Sequence, residues 1–237
     1  MKLEVCIDSY ESMISAVVAG ADRVEICSAL DLDGLTPSIG LVRMCESYDI
    51  EKYVMIRPRP GHFTYDGLEL AQMKEEIMAF KDMKIHGFVF GVLDADGRID
   101  IETMKELVYL AYPKSVAFHR AFDYSIGGED QVEALIKMGV ERILTSGKKP
   151  KAIDGLDLIR DLQEKYGDKI EIMAGSGINS SNIKEIYEKT GIESFHMSAR
   201  DYYQTETSYN NFGKDFSDYS YAVGIEIEMA REVLDSL

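Results

Sequence analysis

The sequence predicts an α/β protein with a single (β/α)8 TIM-barrel fold. Short apolar runs recur eight times along the 237 residues, and most of them precede a helical pattern. Strands that alternate with helices pair in parallel, and eight such units in a chain of this length close into a barrel. An open doubly wound sheet is the alternative. It would need fewer strands, and no Gly-x-Gly-x-x-Gly turn follows the first strand.

The predicted strands are apolar runs of four or five residues, and the predicted helices carry apolar side chains at three- and four-residue spacing. The strands cover residues 3–7, 23–27, 53–57, 87–91, 116–119, 142–145, 170–174 and 194–198. The helices cover residues 9–19, 68–83, 101–110, 131–138, 155–166, 182–189 and 225–234. Several helical patterns end at a glycine, the residue that most readily adopts a left-handed helix terminus.

One segment, residues 200–224, interrupts this alternation and is rich in Tyr, Asn, Ser and Asp. Long connections of this kind are usually lids, interfaces or disordered. Its five tyrosines favour a lid or an interface. They are Tyr202, Tyr203, Tyr209, Tyr219 and Tyr221. We predict one barrel domain over residues 1–237, with this irregular segment starting over the C-terminal face.

The charge balance excludes two classes of partner. The chain has 26 basic and 42 acidic residues, a formal charge of −16, which disfavours nucleic acid and anionic membranes. No run of eighteen apolar residues is present, so we expect no membrane span. Three cysteines without a secretory signal predict reduced thiols and a cytoplasmic location. The prevalence of two-fold oligomers and the aromatic segment predict a homodimer.

Strand parity predicts a polar interior near the barrel mouth. In the first strand Leu3, Val5 and Ile7 share one face, and Glu4 and Cys6 share the other. Successive side chains of a barrel strand point alternately to the helices and to the interior. The same rule applied to every strand predicts an inward set of Glu4, Cys6, Glu25, Cys27, Arg57, His119, His196 and Ser198. Arg59, Arg120 and Asp123 lie just beyond the strand ends.

Two interpretations of these buried charges stay open. Glu4 and Glu25 can be balanced by Arg57, Arg59 or Arg120 in a structural ion-pair network, because an unpaired buried charge is costly. Alternatively, the polar residues form a functional pocket. The second interpretation is favoured, because barrels place their chemistry at the C-terminal ends of the strands.

The cysteines allow a metal site. Cys6 and Cys27 occupy like positions on neighbouring predicted strands, so their sulfur atoms are expected to approach each other. Two thiolates suit a soft ion such as Cu(I). Two small buried core residues, or a disulfide, are the alternatives.

A second pattern points to an anion. The seventh strand ends in a glycine-rich turn, Gly175-Ser176-Gly177, and the eighth strand carries His196 and Ser198. Barrels often bind phosphate after these strands through backbone N–H groups. The run 145–148, which includes Ser146, adds hydroxyl groups and a lysine after the sixth strand. A simple tight turn is the alternative.

Long motifs over about four fifths of the chain resemble the CutC family. They are EVCIDS at 4–9, GADRVEICS at 20–28, GLTPS at 34–38, VMIRPR at 54–59, FHRAFD at 118–123, RILTSG at 142–147 and FHMSAR at 195–200. The resemblance implies a barrel, a cytoplasmic location and a role in copper homeostasis, with Cys6 and Cys27 as Cu(I) ligands. This sequence departs from the family pattern at Pro60, His62 and Ser176.

Three functions follow from these observations. The first is a Cu(I)-binding protein that uses the thiols. The second is an enzyme acting on an anionic or phosphorylated small molecule, with no organic cofactor. In it Glu25 or His119 is the general acid or base, and Arg57 with Arg120 holds the anion. The third is a scaffold that uses the tyrosine-rich segment. We predict the first function, with the second as its alternative. The arginines are explained only by the second, because positive charges repel a metal cation.

Overall fold

The computed structural model describes residues 1–203 and 219–237. Eight parallel strands pair in sequence order and close into a barrel, which confirms the predicted (β/α)8 fold. The barrel strands are β1 (Lys2–Ile7), β2 (Arg23–Ile26), β3 (Glu51–Met55), β4 (Gly87–Phe90), β5 (Ser115–Phe118), β6 (Arg142–Thr145), β7 (Glu171–Ala174) and β8 (Ser194–Met197). Several end one or two residues before the predicted bound, so Cys27, Arg57, His119 and Ser198 stand at the start of the loops.

Helices connect the strands. They are α1 (Tyr10–Val18), α2 (Ile39–Cys45), α3 (Gly67–Lys81), α4 (Ile101–Ala111), α5 (Ala121–Tyr124), α6 (Glu129–Lys137), α7 (Leu156–Tyr166), α8 (Ile183–Thr190) and α9 (Gly224–Asp235). Side-chain caps start several of them: Ser9 accepts from Ser12 N, and Asp66 and Glu69 form a capping box on α3. Among the described residues, no helix combines the length and the hydropathy needed to cross a bilayer.

The packing follows strand parity. Leu3, Val5 and Ile7 are fully buried in the main apolar core, which includes the inner faces of the helices. Side chains of the opposite parity fill the barrel interior, where some of them form a small apolar cluster. It consists of Cys27, Tyr53, Met55, Val89 and Ala117. A one-residue slip of any strand would exchange the two faces, so the apolar pattern fixes the parity.

A buried ion network crosses the barrel interior. The Glu4 carboxylate is fully buried, and its Oε2 accepts from Arg23 Nε and lies 3.5 Å from Arg142 Nη2. Arg23 Nη2 also donates to Glu171 Oε1 at 2.7 Å. Burial alone would raise the pKa of Glu4, but the charges of Arg23 and Arg142 and the hydrogen bond to His196 hold it far below its usual range. Glu4 is therefore charged in the folded protein.

The predicted partners of the buried glutamates were wrong. Arg57 donates to backbone carbonyls, Arg59 pairs with Glu69, and Arg120 pairs with Asp123. The reason is the level of each side chain along the barrel axis. Arg57, Arg59 and Arg120 follow the C-terminal ends of their strands, whereas Arg23 and Arg142 begin their strands and point inward. Strand pairing sets Glu4 opposite Arg23.

The segment predicted to be irregular is structured at its described ends. Arg200–Tyr203 (β9) pairs antiparallel with Tyr219–Ala222 (β10). Ala222 N donates to Ser12 Oγ at 3.0 Å, so the strand pair lies beside the start of α1, which follows the C-terminal end of β1. Residues 204–218, and with them Tyr209, lie outside the described residues.

The first prediction concerns Glu4. Glu4→Gln leaves Arg23 and Arg142 without their buried counter-charge, so we expect the free energy of unfolding to fall by about 3–5 kcal/mol. The control is Glu106→Gln in the exposed Lys74–Glu106 pair, which should cost less than about 1 kcal/mol. Denaturant unfolding measures both. Equal losses would contradict the assigned role of Glu4.

The same carboxylate predicts a pH dependence. The pKa of Glu4 is lower in the folded state than its ordinary value of 4.5, so its contribution to stability is complete above pH 4.5 and is lost as the pH falls further. Unfolding curves measured on acidification should therefore be flatter for Glu4→Gln than for the natural protein. Parallel curves would show that Glu4 does not titrate as described.

Candidate functional site

A cavity of about 800 Å³ opens at the C-terminal ends of the barrel strands. Many of the predicted site residues line it. They are Cys6, Glu25, Arg57, His119, Arg120, Ser176, Gly177, His196 and Ser198. Cys27, Arg59, Asp123, Ser146 and Gly175 are not among its lining residues. The size is typical of sites for small molecules.

One wall carries a cluster of three potential ligand groups. The sulfur of Cys6, a carboxylate oxygen of Glu25 and a ring nitrogen of His196 all lie within 4.8 Å of one another. Strand pairing builds this Cys6 cluster, because β1 sets Cys6 opposite Glu25 and Glu4 opposite His196. His196 Nδ1 lies 2.7 Å from Glu4 Oε1, and Nε2 lies 3.9 Å from Glu25 Oε2. The buried ion network thus orients the imidazole.

The electrostatics of this cluster favour positive charge on His196. Burial alone would lower the pKa of His196, but the charge and hydrogen bond of Cys6, the hydrogen bond of Glu4 and the charge of Glu25 raise it well above its ordinary value. Burial raises the pKa of Glu25, although the charge of His196 acts to lower it. Glu25 Oε1 is buried without a hydrogen-bond partner among the described residues. The cluster therefore stabilises positive charge on His196.

Cys27 contacts the Cys6 cluster through Glu25. Both cysteines are free and buried, but the register places Cys6 opposite Glu25, and Cys27 follows two residues further on. The Cys27 thiol donates to Glu25 Oε2 at 3.4 Å and packs beneath Gly34. Burial and the charge of Glu25 raise its pKa well above the ordinary thiol value. Strand pairing sets Cys6 opposite Glu25 rather than opposite Cys27, so the two cysteines do not occupy paired positions; the approach of their sulfur atoms stays a prediction.

The wall that carries His119 has the opposite electrostatics. His119 Nδ1 accepts from Ala121 N at 3.2 Å, which places the ring proton on Nε2. Burial and the charge of Arg57 lower the pKa of His119 to about 3, so the ring is neutral near pH 7. Its Nε2 is buried and has no hydrogen-bond partner in the described part of the chain. His119 therefore presents an unused N–H group.

Arg57 is a structural clamp. Its Nη1 donates to the carbonyls of Leu32 and Gly34 at 2.8 and 2.9 Å, and Nη2 donates to Gly61 O at 3.1 Å. The side chain thereby ties the loops after β2 and β3 together and brings its charge to the cavity. The predicted clamp of Arg57 and Arg120 on an anion is not built as a pair, because backbone carbonyls occupy the end of Arg57.

The loop after β6 already holds an anion from the chain itself. Asp123 accepts from Thr145 Oγ1 at 2.6 Å, from Ser146 N at 3.0 Å and from Lys148 N at 3.1 Å. The Ser176 hydroxyl donates to Pro150 O at 2.7 Å. The predicted hydroxyl groups after β6 and in the β7 turn are therefore used internally.

Gly175 shapes the turn after β7. A Cβ atom there would lie 2.5 Å from Leu144 Cδ1 and 3.5 Å from the Cβ of His196. Gly175 thus makes room for the Leu144 side chain of β6 beside the turn, while Ser198 is exposed at the edge of the cavity.

The fold and the cavity define a (β/α)8 barrel protein with a polar site at the mouth. The CutC family model matches residues 1–201, so this chain belongs to the CutC family. It is 44% identical over 202 residues to the copper homeostasis protein cutC homolog of Caenorhabditis elegans, covering 84% of this chain and 80% of that one. It is 42% identical over 203 residues to a CutC family protein of Aliivibrio fischeri, covering 84% and 82%.

Solved structures agree with this assignment. A Streptococcus agalactiae structure, named as a copper homeostasis protein CutC, superposes with a TM-score of 0.79 at 31% identity, covering 83% of this chain and 97% of that one. The thiamine phosphate pyrophosphorylase of Pyrococcus furiosus shares the fold, with a TM-score of 0.62 at 16% identity and coverage of 99% and 96%. The second likeness shows the barrel fold alone.

Three residues outside the predicted site support it. Arg23 and Arg142 begin predicted strands and share the inward parity of Glu25 and Leu144. Gly91 ends a predicted strand. A Cβ atom at Gly91 would lie 2.8 Å from His119 Nδ1, so the glycine makes room for the ring. Parity signals the two arginines, but no local pattern signals Gly91.

Gly91 supplies the next prediction. Gly91→Ala forces the His119 ring or the neighbouring backbone to shift, and we expect it to destabilise the protein by about 1–3 kcal/mol. Gly67→Ala is the matched control, because nothing lies within 4 Å of a Cβ atom at the start of α3. Denaturant unfolding gives the stability, and histidine NMR resonances report the ring. An undisturbed His119 resonance in Gly91→Ala would contradict the contact.

Proposed function

We propose that this chain is a cytoplasmic Cu(I)-binding protein of copper homeostasis, with Cys6 Sγ and His196 Nε2 as the copper ligands. The observation that carries the proposal is the Cys6 cluster, three potential ligand atoms within 4.8 Å of one another at the mouth of the barrel. The relatives named for copper homeostasis support the assignment.

The chemistry of the donors fits this ion. A thiolate is the soft ligand that Cu(I) favours, and an imidazole nitrogen completes the pair. A histidine that binds a metal usually donates its other ring nitrogen to a carboxylate, which is the position of Glu4 at 2.7 Å from Nδ1. A carboxylate oxygen of Glu25, a harder ligand than the thiolate, lies beside this pair.

The surrounding charge also fits. Cys6, Glu4 and Glu25 stabilise a proton on His196, so the same groups favour a monovalent cation in its place. Arg120 is paired with Asp123 at 2.9 Å, which reduces its repulsion of a cation. Binding displaces the proton on His196 Nε2 and the proton of the Cys6 thiol, because a thiolate and a neutral imidazole nitrogen are the groups that bind the metal.

The family resemblance implies Cys27 as the second ligand, whereas the geometry favours His196. Cys27 is fully buried, and its thiol donates a hydrogen bond to Glu25 Oε2. We propose that Cys27 holds Glu25 in position. The three buried free cysteines suit the reducing cytoplasm, and the homodimer stays a prediction.

Cysteine variants test the ligand pair. We expect Cys6→Ser to weaken Cu(I) affinity by more than about 100-fold, which exceeds the effect of losing a residue that only orients a ligand. Cys27→Ser should weaken it by less than about 100-fold. Cys45→Ser is the control, because Cys45 is equally buried but lies in α2, outside the barrel interior. Anaerobic competition with a colorimetric Cu(I) chelator measures the affinity.

Two results would contradict this assignment. Equal losses in Cys6→Ser and Cys27→Ser would make the two thiols the ligand pair. Unchanged Cu(I) affinity in a folded variant that carries both Cys6→Ser and Cys27→Ser would show that copper does not bind in the barrel interior. Circular dichroism of each variant establishes that the barrel is intact before the affinities are compared.

A further inference from the structure

We propose that the wall of the cavity around His119 binds the carboxylate of a small organic molecule, which accepts a hydrogen bond from His119 Nε2. This site goes beyond copper binding and does not depend on it. The observation behind it is a buried N–H group that has no hydrogen-bond partner among the described residues, carried by a residue that lines a cavity of about 800 Å³.

The tautomer makes His119 a donor. Its Nδ1 is occupied as an acceptor by Ala121 N, and the backbone of Ala121 cannot change that role. The ring is also fixed in place, with its centroid 4.8 Å from that of Phe63 and Gly91 behind it. A buried donor without an acceptor is costly, so a preorganised N–H group of this kind calls for an acceptor from a ligand.

The local field favours an anionic acceptor. The Arg57 guanidinium lies 5.1 Å from the centroid of Phe63, on which His119 packs. The charge of Arg57 contributes to the lowered pKa of His119. Arg120 also lines the cavity, with Nε and Nη2 fixed by Asp123 and Ser146.

The cavity also has acidic lining residues, and they do not cancel this field at His119. They are Glu25, Asp33 and Asp94. Glu25 belongs to the Cys6 cluster, and Asp33 is exposed. Asp94 Oδ1 accepts from Asp96 N and Arg98 N in its own turn.

The available donors fit a carboxylate better than a phosphate. A phosphate site would draw on the hydroxyl groups and the lysine after β6 and on the Ser176 hydroxyl. Asp123, Ser125 O and Pro150 O already occupy those groups. One neutral N–H group beside a guanidinium matches a single carboxylate.

The cavity also has apolar and aromatic lining residues. Phe63 and Tyr124 lie 5.6 Å apart between ring centroids, and Leu30, Met55 and Leu93 also line the cavity. These side chains suit the hydrocarbon body of a small acid. Benzoate is therefore a suitable probe, and benzamide, with the same shape and no charge, is its matched control.

Calorimetry with benzoate and benzamide tests the site on the full chain. Benzoate should bind the natural protein more tightly than benzamide. His119→Phe keeps an aromatic ring and removes the donor, and should weaken benzoate binding by about 10- to 100-fold. His86→Phe, an exposed histidine just before β4 at the other end of the barrel, should leave it unchanged. Cu(I) affinity should be the same in His119→Phe as in the natural protein.

A second measurement needs no variant. In protein with ¹⁵N-labelled histidine, the Nε2 resonance of His119 should shift on titration with benzoate and stay in place with benzamide. Three results would overturn the proposal: no shift with benzoate, equal binding of benzamide, or inorganic phosphate displacing benzoate at His119. None of these outcomes depends on Cys6, so the copper proposal stands or falls separately.

Discussion

The Glu4 carboxylate is the interaction on which the rest of the barrel interior depends. Its Oε2 is bound by Arg23 and faces Arg142, and its Oε1 lies 2.7 Å from His196 Nδ1. A carboxylate buried this deeply is tolerated only when both oxygens are satisfied by charged or polar partners. The requirement that stabilises the interior therefore also sets the direction of His196 Nε2. Stability and site geometry share one residue.

The two histidines of the cavity show how surroundings decide protonation. Both are nine-tenths buried or more, and burial lowers the pKa of each. His196 is surrounded by Cys6, Glu4 and Glu25, which reverse the effect, whereas His119 faces Arg57, which adds to it. One wall of the cavity therefore stabilises a charged histidine, and the other presents a neutral histidine donor. A soft metal ion and an organic acid would each find complementary chemistry without competing for the same atoms.

Several residues that read as ligand groups in the sequence serve the scaffold instead. Arg57 and Asp123 carry the charges that an anion site or an ion network would use. In the fold, Arg57 ties two loops through carbonyl oxygens, and Asp123 fills the turn after β6 as an internal anion. Loops at a barrel mouth need such partners, because their backbone groups have no strand neighbours. Residue type and position alone cannot separate these uses.

The alternation of strands and helices, the closed barrel and the inward parity of Glu25, His119 and His196 can all be predicted from the sequence. These features depend on short-range periodicity, which a linear pattern records. The contacts among the inward groups cannot be predicted in this way. The pairing of β1 with β2 sets Cys6 opposite Glu25 and Glu4 opposite Arg23. Closure of the barrel brings Arg142 from β6 to within 3.5 Å of Glu4. Register and charge pairing arise from barrel closure, which no local pattern contains.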